Sequence, residues 1–241
     1  VIEHQKGVYN FDNLKTQYPP YLAEKGIDMI LALTYSNDLY VSGAIDNNAE
    51  REAFANYAVA VAKQYPQINK FEVYNEPNLW YDWNWHQDPS DYIKLLKTTA
   101  EALRSVNPNA TIIGGSLSDY QGIEPYIADF YAQKDLYPSM DAVSIHPYWY
   151  YEETPQKVFE SRLRLHNRHL AAIGGFKDLY VTEIGFPTYT DENAQTPYPK
   201  SISEEEQAEK LIKSYVLDDH YNVQATMAYD FKNDGTDIAE K

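Results

Sequence analysis

The sequence predicts an α/β fold built on a parallel sheet, and three observations carry that expectation. Short apolar runs alternate with helical patterns at the spacing of repeated βα units. Polar and aromatic side chains crowd the C-terminal ends of those runs: Tyr35 and Asn37, Asn75 and Glu76, His146 and Tyr148, Glu183, and Tyr229. No G-x-G-x-x-G follows any of them, so a dinucleotide fingerprint is missing. Alternation alone leaves the sheet either closed as a barrel or open and doubly wound. The crowded C-terminal rim suits the TIM-type (β/α)8 barrel, whose sites lie on that rim.

The elements follow in order. Tyr18-Pro19-Pro20-Tyr21 breaks any helix running from Asn13 and predicts one starting near Pro19 or Pro20. Ile27–Leu33 is the first strand. Asn48 is the expected cap of a helix whose Phe54, Tyr57, Ala58, Val61 and Tyr65 recur at helical spacing, with Pro66 stopping it. Lys70–Tyr74 is the next strand. Ser90 is the expected cap of a helix carrying Ile93, Leu96, Ala100 and Leu103, which ends before Asn107-Pro108. Thr111–Gly114 and Ala142–Ile145 read as strands, residues 156–173 as an amphipathic helix, and Leu179–Thr182 as a strand. Ser203 and Glu206 form a capping box ahead of Ala208, Leu211, Ile212 and Tyr215, and Gln224–Ala228 is the last strand. Gly114-Gly115 and Gly174-Gly175 read as turn glycines. Six strands are fewer than the eight of a closed barrel. Either two early units lie outside this chain or the sheet is open. Open edges need cover, from a second segment or by self-association. No linker, repeat or low-complexity stretch divides residues 1–241, and a single barrel domain is expected.

Composition narrows the function classes. With 44% apolar and 23% charged residues, disorder is excluded. A formal charge of −16 opposes binding to nucleic acid or to anionic membranes, which want a basic face. No apolar run approaches the roughly 20 residues of a membrane span, so no membrane insertion is expected. A leader is not visible, as in a mature secreted chain that has already lost one. The absence of cysteine excludes disulfides and thiolate metal sites. Twenty-three tyrosines and four tryptophans offer flat rings with polar tips, which suit sugars as well as ordinary cores.

Two segments carry the chemistry. Phe71-Glu72-Val73-Tyr74-Asn75-Glu76-Pro77-Asn78 and Leu179-Tyr180-Val181-Thr182-Glu183-Ile184-Gly185 each run as a short apolar strand into a glutamate. A carboxylate there is costly unless it is hydrogen-bonded or used. Cleaving a glycosidic bond needs two: one to protonate the leaving oxygen, the other to attack the anomeric carbon or activate water. Pro77 biases Glu76 toward an extended backbone. Asn75 offers both a donor and an acceptor to a sugar hydroxyl. Glu76 is expected to rest protonated and Glu183 ionised.

These residues resemble a known family. Tyr74-Asn75-Glu76-Pro77-Asn78 resembles the W-N-E-P motif of the clan A retaining glycoside hydrolases, with Tyr for Trp. Val181-Thr182-Glu183-Ile184-Gly185 resembles their T-E-x-G nucleophile segment, and Ser144-Ile145-His146-Pro147-Tyr148 their sixth-strand histidine segment. Within the clan the whole chain is most similar to family 39, which includes β-xylosidases, α-L-iduronidases and bacterial exopolysaccharide endoglycosidases. Ile2-Glu3, Lys6 through Phe11, Tyr35-Ser36-Asn37 and Tyr229-Asp230-Phe231 add to the likeness. The resemblance implies Glu76 as general acid/base and Glu183 as nucleophile in a double displacement with retention. It further implies that Asn75, His146 and Tyr148 bind the sugar at the cleavage point. Two departures stand out. The family's first two βα units, with an arginine that orients the nucleophile, would lie upstream of Val1. Tyr229 and Phe231 stand where many clan members have a stacking tryptophan.

Aromatic loops follow both the Glu76 and the His146 strand ends. About half of these rings are expected to seal their loops, with Trp80 and Trp149 the expected sugar contacts. The six histidines show no metal-site pattern: His166 and His169 share a helix face without a carboxylate placed near them in sequence. No cofactor or metal is therefore expected. The partner is a carbohydrate, a poly- or oligosaccharide cut internally, and the setting is extracellular and bacterial. The alternatives are an exo-acting β-xylosidase and a catalytically silent carbohydrate-binding barrel fragment.

Overall fold

Runs rich in Ile, Val, Phe and Leu become strands because branched and aromatic side chains fit a pleated, buried surface. The structure is a computed structural model describing residues 2–12, 14–79, 83, 88–119, 122–148, 155–173, 177–188 and 202–230. A hairpin of β1 (Glu3–Gln5) and β2 (Val8–Tyr9) leads, followed by α1 (Tyr18–Glu24), β3 (Ile30–Leu33) and α2 (Asn48–Gln64). Then come β4 (Lys70–Val73), α3 (Pro89–Val106), β5 (Thr111–Ser118), α4 (Glu124–Tyr131), α5 (Leu136–Ser139) and β6 (Ala142–His146). The chain ends its described part with α6 (Pro155–Ala172), β7 (Asp178–Ile184), α7 (Glu204–His220) and β8 (Val223–Ala228). All six expected strands are found, each shifted by one to four residues at one end or both.

The chain forms two compact units, one of residues 1–117 and 123–144, the other of residues 118–122 and 145–241. In the first the strand order is β3-β4-β5-β6, with β3 on β4 and β4 on β5 in parallel. Its core buries Phe71, Val73, Ile112 and Ile113 of the sheet together with Phe54, Ala58 and Val61 of α2 and Leu95, Leu96 and Leu103 of α3. Tyr92 fastens α3 to the sheet: its hydroxyl donates to the Val73 carbonyl at 2.9 Å and accepts from the Gly115 amide at 2.7 Å. Glycine is required at Gly115, where φ is +111° and a Cβ would stand 2.6 Å from the Ser144 carbonyl oxygen. Buried Arg51 ties α2 to α3 through Asp91 at 2.9 Å.

In the second unit the order is β6-β7-β8, with β7 and β8 parallel. Leu179, Val181 and Ile184 are buried here, as are Phe159, Leu163 and Leu170 of α6.

Local chemistry corrects three expectations. The cap of α2 is Asn47, not Asn48: Asn47 is extended and accepts from the Glu50 amide at 3.1 Å, while Asn48 is already helical and accepts from Arg51. The cap of α3 is Asp88, which accepts from the Ser90 amide at 2.8 Å, because Pro89 takes the first helical position. On α7 Ser203 caps as expected, its hydroxyl accepting from the Glu206 amide at 3.1 Å, but the buried side chains are Ser214 and Asp218, while Ile212 and Val216 are largely exposed. Periodicity picks the apolar stripe, whereas burial follows what β8 presents, including the Thr226 hydroxyl that donates to Asp218 at 2.6 Å.

Candidate active site

In the first unit the strand ends leave ordinary backbone geometry. Tyr35 after β3, Tyr74 and Glu76 after β4, and Ser116 within β5 have φ of +63°, +70°, +43° and +47°. Such values cost a residue bearing a Cβ and gather where side chains must be aimed. Glu76 is therefore not extended, as Pro77 led one to expect. Proline excludes the right-handed helical region before it. The Glu76 amide donates to the Ser116 carbonyl at 3.0 Å and its carbonyl accepts from Leu79 at 2.9 Å, which closes a turn an extended residue would open. The Glu76 side chain and Asn75 are part-exposed, whereas Asn78 is buried.

Tyr74 is wholly buried, edge-on to Trp83 at 4.6 Å between ring centroids and to Tyr35 at 6.4 Å. Trp83 is also fully buried and meets Tyr92, so one tryptophan of the aromatic run seals the loop from within. Trp80 and Trp149 lie outside the described residues. Tyr35 stays half-exposed and lines a cavity of about 590 Å³ together with Asn37, Tyr40, Glu50, Phe54 and Tyr57. The Asn37 amide already donates to the Glu3 carbonyl at 2.9 Å and its oxygen accepts from Leu39 at 3.0 Å. It braces the leading hairpin. The Glu3 carboxylate accepts from the Tyr40 hydroxyl at 2.6 Å and from Gly7, which pushes the Tyr40 phenol up.

In the second unit β6 and β7 bring three predicted site residues together, Glu183, His146 and Tyr148. Glu183 keeps about a quarter of its side chain exposed. The Tyr148 hydroxyl donates to its Oε2 at 2.9 Å, and Nδ1 of His146 faces the same oxygen at 3.6 Å. His146 is 1% exposed, its Nε2 standing 3.1 Å from Thr182 Oγ1. One carboxylate oxygen thus accepts a hydrogen bond from a hydroxyl, with an imidazole nitrogen just beyond bonding distance. Tyr229 is half-exposed, and its amide donates to the Ile184 carbonyl at 2.9 Å. Gly185 is obligatory there, since any Cβ would collide with the Tyr229 carbonyl oxygen.

Two residues escaped the sequence reading. Asp119, immediately after β5, is fully buried and meets His166 at 3.1 Å and Arg162 at 3.2 Å. A carboxylate does therefore stand by His166, contrary to expectation, brought from 47 positions away. The guanidinium already occupies the place a cation would take, so this is an ion cluster and not a metal centre. Its amide donates to the His146 carbonyl at 3.1 Å, tying it to the strand end that carries the histidine. Thr182 was visible only as part of a motif; its contact with His146 is a matter of the fold.

The model of the family described as "Glycosyl hydrolases family 39" matches residues 5–232. Among solved structures, the chain is similar to a family 39 glycoside hydrolase from Bacteroides cellulosilyticus WH2, with 24% identity, a TM-score of 0.75 and 98% of this chain covered against 50% of that one. A monomeric β-xylosidase from Caulobacter crescentus CB15 follows at 18% identity and TM-score 0.65, with 95% of this chain and 50% of that chain covered. A family 39 enzyme from Xanthomonas axonopodis pv. citri matches at 19% identity and TM-score 0.61, over 92% and 47%. The chain spans about half the length of these structures. The likeness establishes the fold class, the (β/α)8 barrel, of which the described residues hold six strands in the main sheet.

Proposed function

The chain belongs to glycosyl hydrolase family 39, and from that premise we propose that it carries the machinery of a retaining glycoside hydrolase acting on an extracellular poly- or oligosaccharide. The observation that carries the proposal is the setting of Glu183: part-exposed at a strand end, with Oε2 held by Tyr148 and faced by His146. A part-exposed carboxylate with one oxygen held in place by a hydroxyl donor suits a nucleophile.

In the first step an oxygen of Glu183 bonds to the anomeric carbon as the bond to the leaving oxygen breaks. The carboxyl proton of Glu76 passes to that oxygen. In the second step the Glu76 carboxylate takes a proton from water, whose oxygen attacks the anomeric carbon and releases Glu183. Two inversions give net retention. Asn75 accepts and donates to a hydroxyl beside the scissile bond, and Tyr35 and Tyr229 offer half-exposed rings to the sugar chain. All of this asks no metal or organic cofactor.

Action within a polymer is the reading preferred here, in a protein secreted by a bacterium. The β-xylosidase among the similar structures supports an exo-acting alternative. Incubating the chain and its Glu183→Ala and Glu76→Gln variants with aryl glycosides and polysaccharides tests the scheme. Turnover should fall at least about a thousandfold in Glu183→Ala. Long oligosaccharide products support internal cleavage, and release of single xylose units supports the exo reading. Sugar binding without turnover, unchanged in Glu76→Gln, would identify a silent binding fragment and overturn the proposal.

A further inference from the structure

We infer that Thr182 is a positioning residue for this reaction, its hydroxyl donating to Nε2 of His146 so that Nδ1–H is left to face Glu183. The inference rests on Glu183 being the nucleophile. Neutral imidazole carries one proton, on one nitrogen or the other. A bare Nδ1 lone pair 3.6 Å from carboxylate Oε2 would set two acceptors against each other. The proton therefore belongs on Nδ1, and Nε2 must accept. In a ring 1% exposed, that acceptor needs a donor supplied by the protein. Thr182 Oγ1, at 3.1 Å, supplies it, and a hydroxyl can turn its proton to suit. The partner on one nitrogen fixes what the other can do.

The strand is bent to this purpose. Neighbouring residues of a regular strand point to opposite faces, so Thr182 and Glu183 should not meet one imidazole. Pairing of β7 with β8 slips between Val181 and Ile184, and the two residues sit inside that slip. Such irregularities re-aim side chains. Here one side chain orients the ring and the next is faced by its other nitrogen.

The test uses the whole chain. Long-range proton–nitrogen NMR of the histidine rings should show His146 protonated on Nδ1 and bare on Nε2. Thr182→Val keeps the shape and removes the donor. It should lower kcat about tenfold and slow by the same factor the covalent trapping of Glu183 by a fluorinated aryl glycoside, with KM within about twofold. Thr182→Ser should restore both rates to within about threefold of wild type. A proton on Nε2 in the wild type, wild-type trapping in Thr182→Val, or a Ser variant as slow as Val would each overturn the role. Should the Val variant not fold, the NMR spectrum and the Ser variant still decide. Full turnover in Glu183→Ala would sink the nucleophile assignment instead, which keeps the two failures apart.

Discussion

Removing the buried carboxyl of Asp218 should make the stability of this protein less sensitive to pH. Asp218 is 2% exposed between α7 and β8; Oδ2 accepts from Thr226 at 2.6 Å, and Oδ1 has no hydrogen-bond partner among the described residues. Burial pushes its carboxyl from 3.8 up to about 7, against the smaller opposing pull of the Thr226 hydroxyl. The folded protein therefore holds this proton across a range in which the unfolded chain has released it. With more protons bound to the folded state, stability falls as pH rises from about 4 to about 7 and levels off above. At about 1.4 kcal/mol for each unit, the displacement amounts to about 4 kcal/mol at pH 8 and about 2 kcal/mol at pH 5. Asp218→Asn keeps an acceptor for Thr226 and cannot ionise. The advantage of the variant over wild type should grow by about 2–3 kcal/mol between pH 5 and pH 8, since every other titrating group cancels in the comparison. Urea unfolding at the two pH values measures this directly. A gap that stays constant, or a wild type that gains on the variant at pH 8, would refute the assignment.

Other consequences are equally concrete. Tyr148→Phe takes a donor from Glu183 Oε2 and should lower kcat/KM about ten- to a hundredfold with little change in melting temperature, as read by steady-state kinetics and a thermal melt. Trp83→Ala empties a fully buried site against Tyr74 and Tyr92 and should cost about 3–5 kcal/mol in denaturant unfolding. Gly185→Ala drives a methyl into the Tyr229 carbonyl, so the β7 and β8 ends must part; activity should be lost even where circular dichroism shows a folded protein.

The division between what the sequence reveals and what it hides follows the range of the physics. Strand positions, the α3 apolar face and the Ser203 cap depend on residues a few places apart, and these read correctly. The caps of α2 and α3 each moved by one or two residues, because neighbouring polar residues compete and only backbone geometry decides which is extended. Contacts made across the fold left no local sign. Asp119 looks like an ordinary loop acid until α6 brings Arg162 and His166 onto it. The stripe of α7 reads as core until β8 presents a hydroxyl to Asp218 instead.

Glu76 shows why even a well-read motif stops short of geometry. Local sterics state only what Pro77 forbids, the right-handed helical region, and leave the extended and left-handed regions open. Extended backbone is the cheaper of the two by roughly 1–2 kcal/mol, so local reasoning selects it. The choice falls the other way because the left-handed turn is met by two main-chain hydrogen bonds, Glu76 to Ser116 and Leu79 to Glu76. At about 1 kcal/mol net for each, they offset the conformational cost. One of those bonds comes from β5, 40 residues farther along the chain. The direction in which this carboxylate points is thus a property of the sheet, although the presence of a carboxylate there is written in a five-residue motif.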